Sequence, residues 1–190
     1  IDKFDFKLSK MSKAGALFDM VKLHDISKTY ISTMNTDGVF DAVTAWSAEY
    51  DKELNSLIMR DTDYAKRIFS IERGNKKPRK DIEKWSEVKD YIAYFYDELF
   101  DGKYDWAENI SKDDIKAILT RYKEVYNHQS PSEDWFPQVQ ALAEDLGFAK
   151  SPKDYKADPD SFKGHAGDVA GVIRVAVTGR LNTPDLYSIM

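Results

Sequence analysis

The residues best suited to act on another molecule lie between Gly167 and Met190. Arg174 stands one helical turn before Thr178-Gly179, where a helix is expected to stop. A short polar loop with Arg180 follows. Thr183-Pro184-Asp185 then has the form of a helix start, with Thr183 as N-cap and Pro184 at the first helical position, where its missing N–H costs nothing. Two helix ends meeting in this way gather Arg174, Arg180 and Thr183, so that guanidinium donors stand beside a hydroxyl. A second concentration of charge is Arg73-Gly-Asn-Lys-Lys-Pro-Arg-Lys80, which holds Arg73, Lys76, Lys77, Arg79 and Lys80, with Lys84 just beyond. Its pattern fits a solvated loop better than a dedicated binding patch. A third is Lys10-Met11-Ser12-Lys13, where mobile ammonium groups flank a hydroxyl, a combination able to hold phosphate.

Other chemistries find no support. His24, His128 and His165 are far apart and have no partner at metal-ligand spacing, and cysteine is absent. Carboxylates are abundant, as expected of solvated helix faces, and no pair stands out as an acid/base couple. Neither a phosphate-cradling glycine loop nor a nucleophile elbow occurs. No active centre is recognisable, and no metal or cofactor is expected in this chain.

The elements that position these residues read as helices nearly throughout. Val39, Phe40, Val43 and Trp46 recur at helical spacing after Thr36-Asp37, and Leu54, Leu57 and Ile58 continue an apolar face. Tyr64, Ile68, Phe69 and Ile71 form another, before Pro78 breaks the chain. Trp85, Val88, Ile92, Phe95, Tyr96 and Leu99 suggest one long amphipathic helix ending at Asp101-Gly102. Ser111, Ser130-Pro131-Ser132-Glu133 and Ser151-Pro152 each open a further helix, the second as a capping box. Val172 to Val177 is the one β-like stretch, and it too is read as helix. The expected fold is all-α, a helical bundle or cage in two consecutive subdomains, 1–101 and 102–190.

Composition sets the outer bounds. The 190 residues carry a net charge of −5, with 42% hydrophobic and 32% charged residues, which is the profile of a soluble globular protein. No apolar run reaches the ~18 residues of a membrane span, so no membrane association is expected. The absence of cysteine fits a reducing cytoplasm. An extended electrostatic face for nucleic acid is usually basic, so any RNA contact here must be local. The chain starts on Ile1 and ends on Met190 inside an apolar helical stretch, and a piece of a longer protein is therefore expected.

Two segments resemble bacterial glutamyl-tRNA synthetases, class I aminoacyl-tRNA synthetases. Ser12-Lys13, Phe18-Asp19 and Lys22-Leu23 match, in register, a segment just downstream of that family's catalytic lysine loop. Lys10-Met11-Ser12-Lys13 also matches four letters of the lysine loop itself, but Ala14 follows, so this match is read as coincidence and the true loop is placed upstream. Arg174-x-x-x-Thr178-Gly179 followed by Thr183-Pro184 resembles the family's closing segment at the anticodon.

The resemblance implies the tRNA-binding C-terminal region of a glutamate–tRNA ligase. ATP and magnesium would be used by a catalytic part upstream, and tRNA-Glu would be the partner, with no DNA partner, of a monomeric protein. It further implies that Arg174, Thr183, Pro184 and Leu186 face the anticodon bases. Arg can hydrogen-bond or stack on a splayed base, Thr can donate and accept, and Pro and Leu offer an apolar surface. Arg73 would match another anticodon-reading arginine, and Lys76, Lys77, Arg79, Lys80 and Arg180 would be further contacts. A non-catalytic helical protein-interaction module is the alternative, favoured by the acidic charge.

Overall fold

A computed structural model describes Lys7, Ser9 and residues 19–190. The motif Lys10 to Lys13, and the rest of the first matched segment up to Phe18, lie outside the described residues. Ten α-helices and no strand are found among those described, so the fold is all-α, as expected.

The first helices are α1 (Met20–Thr33), α2 (Thr36–Tyr50), α3 (Lys52–Arg60) and α4 (Thr62–Ser70). Their sharp corners follow from capping. Asn35 Oδ1 accepts from Gly38 N at 2.8 Å, Asp51 Oδ1 from Leu54 N at 3.0 Å, and Asp61 Oδ1 from Tyr64 N at 2.8 Å. Asp51 and Asp61 each end one helix and begin the next, so a single residue stands between helices. A short polar side chain at such a corner satisfies the orphan amides that the helix start exposes. The chain thereby folds back on itself and buries Val39, Val43, Leu54, Ile58, Ile68 and Phe69 in one apolar cluster, closed by Ile92 and Tyr96.

Residues 85–99 are not the single helix their spacing suggested. A 3-10 turn (Trp85–Glu87), α5 (Val88–Tyr91) and another 3-10 turn (Ala93–Phe95) follow one another, with Tyr96 extended. Aromatic side chains lose rotamer freedom in a helix, so intrinsic preference here is weak and tertiary contacts decide. The Tyr64 hydroxyl donates to the Phe95 carbonyl at 2.9 Å, an acceptor that a continuous helix would have used internally.

The second half holds α6 (Lys112–Val125), α7 (Ser132–Asp145), α8 (Pro152–Ala157), α9 (Ala166–Thr178) and α10 (Leu186–Ile189), of which α6, α7, α9 and α10 supply residues to a second apolar cluster. Both α6 and α7 pack on α9, whose buried Val169, Val172 and Ile173 occupy the centre together with Ile118, Val139 and Phe148. Val172 to Val177 is helical. His165 caps α9: its Nδ1 accepts from Gly167 N at 3.0 Å, and Asp168 Oδ2 accepts from the His165 amide at 2.8 Å. Ser130 is not the cap of α7; the helix begins at Ser132 after Pro131, and the Ser130 hydroxyl instead accepts from Gln138 at 3.2 Å. The helix expected to start after Thr183 begins later, at Leu186, with Asp185 as its N-cap.

Candidate nucleic-acid interface

The candidate site is a seam where two loops meet, one joining α4 to the first 3-10 turn (71–84) and one joining α9 to α10 (179–185). Gly179 makes this possible. It ends α9 with φ 76°, in the left-handed region, and a Cβ there would stand 2.5 Å from the Lys103 carbonyl oxygen and 2.9 Å from the Phe100 ring. Only glycine lets the chain turn so close to that backbone. The Gly179 carbonyl accepts from Asp105 N at 2.9 Å, which anchors the loop at its start.

Arg174 holds the other end. Its Nη1 donates to the Thr183 carbonyl at 3.3 Å, to the Thr183 hydroxyl and to the Pro184 carbonyl at 2.6 Å. Burial pulls the guanidinium below its ordinary value, an effect that Asp185 opposes. One edge of Arg174, a residue that the resemblance places toward the anticodon bases, thus braces the loop from inside, while Nε and Nη2 have no partner among the described residues. The same contacts explain why Thr183 is not the N-cap. Its hydroxyl and carbonyl are taken by Arg174, and Asp185 Oδ2 accepts from Ser188 N at 2.9 Å instead. The apolar surface expected of Pro184 and Leu186 is also corrected. Pro184 is buried, and Leu186, 1% exposed, fills the second cluster.

Arg73 is committed elsewhere. Its Nη1 donates to the Ile31 carbonyl at 3.0 Å and the Met34 carbonyl at 3.4 Å, closing the last turn of α1. Burial lowers its pKa, against a smaller opposite effect of Tyr91. Arg79, by contrast, crosses the seam. It binds Asp81 through two nitrogens at 2.7 and 3.0 Å and reaches Asn182 Oδ1 at 3.3 Å. Arg180 crosses it as well, pairing with Asp90 at 2.9 Å and lying over the Tyr94 ring. Lys80 approaches Asp25 at 3.4 Å. Lys76 and Lys77 are exposed and, among the described residues, have no partner.

A cleft of about 100 Å³ opens between the loops, lined by Arg79, Tyr91, Tyr94, Arg180, Asn182 and Thr183 among others. The Tyr94 hydroxyl is buried without a hydrogen-bond partner, and burial pushes its pKa to about 12. Sequence reasoning missed Asn182, Tyr91 and Tyr94. No local signal marked them, because Arg79 and Asn182 stand 103 residues apart. Of the expected residues, the fold brings Arg174, Thr183, Pro184, Arg79 and Arg180 to one seam, buries Leu186 beneath it and directs Arg73 to α1. The arrangement offers planar cationic donors, an amide and aromatic rings, a set suited to a planar, polar and negatively charged ligand such as RNA. No group of three or more His, Asp and Glu side chains that could hold a metal ion occurs among the described residues.

No family model matches the chain. Curated relatives do. It is 43% identical over 195 residues to the glutamate–tRNA ligase of Clostridium perfringens (strain 13 / Type A). The corresponding ligase of Acetivibrio thermocellus is 39% identical over 189 residues, and that of Sorangium cellulosum 40% over 189. These matches take in 98–100% of the chain but only 33–36% of each relative, so the chain spans about a third of the length of the curated relatives it matches. It corresponds to the C-terminal part of a tRNA ligase. Within that class, the chain belongs to the glutamate–tRNA ligase family and is homologous to its C-terminal region.

Proposed function

We propose that this chain is the anticodon-recognising, tRNA-binding part of a glutamate–tRNA ligase that joins glutamate to tRNA-Glu. The observation that carries this reading is the 39–43% identity over essentially the whole chain to the C-terminal third of such ligases. Amino-acid activation, with ATP and magnesium, belongs to the part upstream, and none of the described residues is assigned to either. The protein works as a cytoplasmic monomer; no helix among the described residues is long and apolar enough to cross a membrane.

In this reading the seam receives the anticodon loop. Lys76 and Lys77 meet backbone phosphates. Arg79 and Arg180 add cationic and stacking contacts at the cleft, and the free Nε and Nη2 of Arg174 donate to a base edge. Thr183, Pro184 and Leu186 act by holding the loop in shape more than by offering open surface. A local interface of this kind suits a chain of net charge −5, since phosphate contacts need only a basic patch.

Binding of the ligase-length protein to tRNA-Glu, compared with the same tRNA carrying an exchanged anticodon and with an unrelated tRNA, tests the proposal. Preference for the cognate anticodon, abolished by Arg174→Ala with folding intact, supports it. Equal binding to all three would overturn the anticodon role, and binding to none would favour a protein-interaction module.

A further inference from the structure

Arg180 is held in place at the seam, yet its charge is already taken. Its amide donates to the buried Thr178 hydroxyl at 3.2 Å, and Gly179 before it is anchored to Asp105. The guanidinium lies 5.9 Å over the Tyr94 ring and donates from Nη2 to Asp90 Oδ1 at 2.9 Å. Asp90 is its one ion-pair partner among the described residues, and the two side chains sit in different surroundings: Arg180 is 35% exposed, Asp90 82%. Arg79 shows the contrast. Both oxygens of Asp81 bind it, at 2.7 and 3.0 Å, and both of those side chains are largely shielded. A bidentate, shielded pair is part of the architecture, whereas a single contact to a carboxylate standing in water adds little stability and exchanges readily.

Arg180 also stands between two clefts. It lines the seam cleft of about 100 Å³ and a second one of about 200 Å³, shared with Asp90, Phe100, Asp101, Lys103 and Asp105 among others. The second cleft is the acidic side, because its one lysine, Lys103, is engaged by Asp101 at 3.0 Å. An anion that enters the seam therefore meets Arg180 from one side while Asp90 holds it from the other.

We propose that Asp90 is a resident anion for Arg180. It keeps the place of an RNA phosphate, so that RNA reaching Arg180 exchanges one anion for another. The inference rests on the reading of the seam as an RNA interface and adds to it a residue that tempers binding. A free arginine meets a phosphate at no cost to an existing pair. Arg180 must first part from Asp90, and the freed carboxylate recovers cations from solution. Fewer ions are released overall, so both the affinity for RNA and its salt dependence are lower than a free arginine would give. Base contacts then carry a larger share of recognition than charge does.

The test measures binding of tRNA-Glu, and of the same tRNA with an exchanged anticodon, by the ligase-length protein between about 50 and 200 mM salt. Wild type, Asp90→Asn, Arg180→Ala and the double variant are compared, with a urea midpoint for each. Asparagine keeps the size and an acceptor, so Arg180 stays in place while the opposing charge is gone. Asp90→Asn should bind each tRNA about two- to fivefold more tightly at the low-salt end. Its salt slope should be steeper by about 0.7. Both gains should vanish in the Arg180→Ala background. Unchanged or weaker binding by Asp90→Asn would overturn the proposal. So would a gain that persists without Arg180, which would reveal general repulsion, or a marked loss of stability, which would make the pair architectural. Binding by none of the four proteins would overturn it as well. Because each tRNA is compared with itself, a wild-type protein without anticodon preference would defeat the anticodon reading and leave the gain from Asp90→Asn readable.

Discussion

Arg174 donates from Nη1 to the Pro184 carbonyl oxygen at 2.6 Å, tying the last turn of α9 to a residue ten positions later. This one side chain therefore has a structural edge and a free edge. Arg174→Ala removes a charged donor from two carbonyls and a hydroxyl, which costs about 1.5–3 kcal/mol of stability, measurable by urea unfolding. In the ligase-length protein it also weakens recognition of the cognate anticodon. Arg174→Lys recovers part of the stability, because an ammonium still reaches the carbonyls, but not the recognition, because the planar fork is gone. Full recognition by a folded Arg174→Lys protein would show that the free edge does nothing.

Lys76 and Lys77 differ from Arg79 in having no carboxylate partner among the described residues. Replacing both by Ala should flatten the salt dependence of tRNA binding by roughly 0.7 in slope for each phosphate that is no longer neutralised. Stability should change by less than about 0.5 kcal/mol, as is usual for exposed positions. Arg79→Ala should flatten the slope less per charge, since Asp81 already neutralises it. A titration of log K against log salt decides; an unchanged slope reduces Lys76 and Lys77 to a solvated loop.

Gly179→Ala places a side chain at φ 76°, with its Cβ 2.5 Å from the Lys103 carbonyl oxygen. The left-handed conformation alone costs a non-glycine residue about 1–2 kcal/mol, and crowding against backbone adds to it. The chemical-denaturation midpoint should fall accordingly. Because Arg180 and Asn182 ride on the same loop, tRNA affinity should fall as well.

Tyr94 and Tyr96 both have hydroxyls buried without a partner, and burial raises the pKa of each to about 12. A group with a raised folded pKa contributes stability below its unfolded value, near 10, and loses it as pH climbs through the folded one. Stability should thus fall between about pH 10 and 12. Tyr96→Phe removes a hydroxyl that has no bond to lose, so it should be neutral or stabilising at pH 7 and should shallow the alkaline decline. Thermal unfolding at pH 7 and pH 11 reads both effects.

Much of the scaffold was legible locally. Ser111 and Ser151 cap α6 and α8 as their sequence suggests, and Thr178-Gly179 does end α9. Caps and helical periodicity act within a turn or two of chain, so a short window of residues contains most of the information. The gathering of Arg174, Arg180 and Thr183 was legible for the same reason, since two helix ends joined by a short loop leave little freedom. The aromatic segment 85–99 was not, because helical spacing there coincides with weak helical preference, and the Tyr64 bond to the Phe95 carbonyl spans 31 residues of sequence.

The amino-acid sequence by itself thus determined the all-helical class, the starts of α6 and α8, the end of α9 and the similarity to glutamate–tRNA ligases. The tertiary structure alone decided which way the side chains face. It turned one edge of Arg174 onto Thr183 and Pro184, sank Leu186 into the core and sent Arg73 to the end of α1. It also brought Arg79 to Asn182 and Arg180 to Asp90 across 103 and 90 residues of chain. The reason is physical: a helix is stabilised by bonds between near neighbours, whereas the direction of a guanidinium is set by whichever acceptors packing delivers to it.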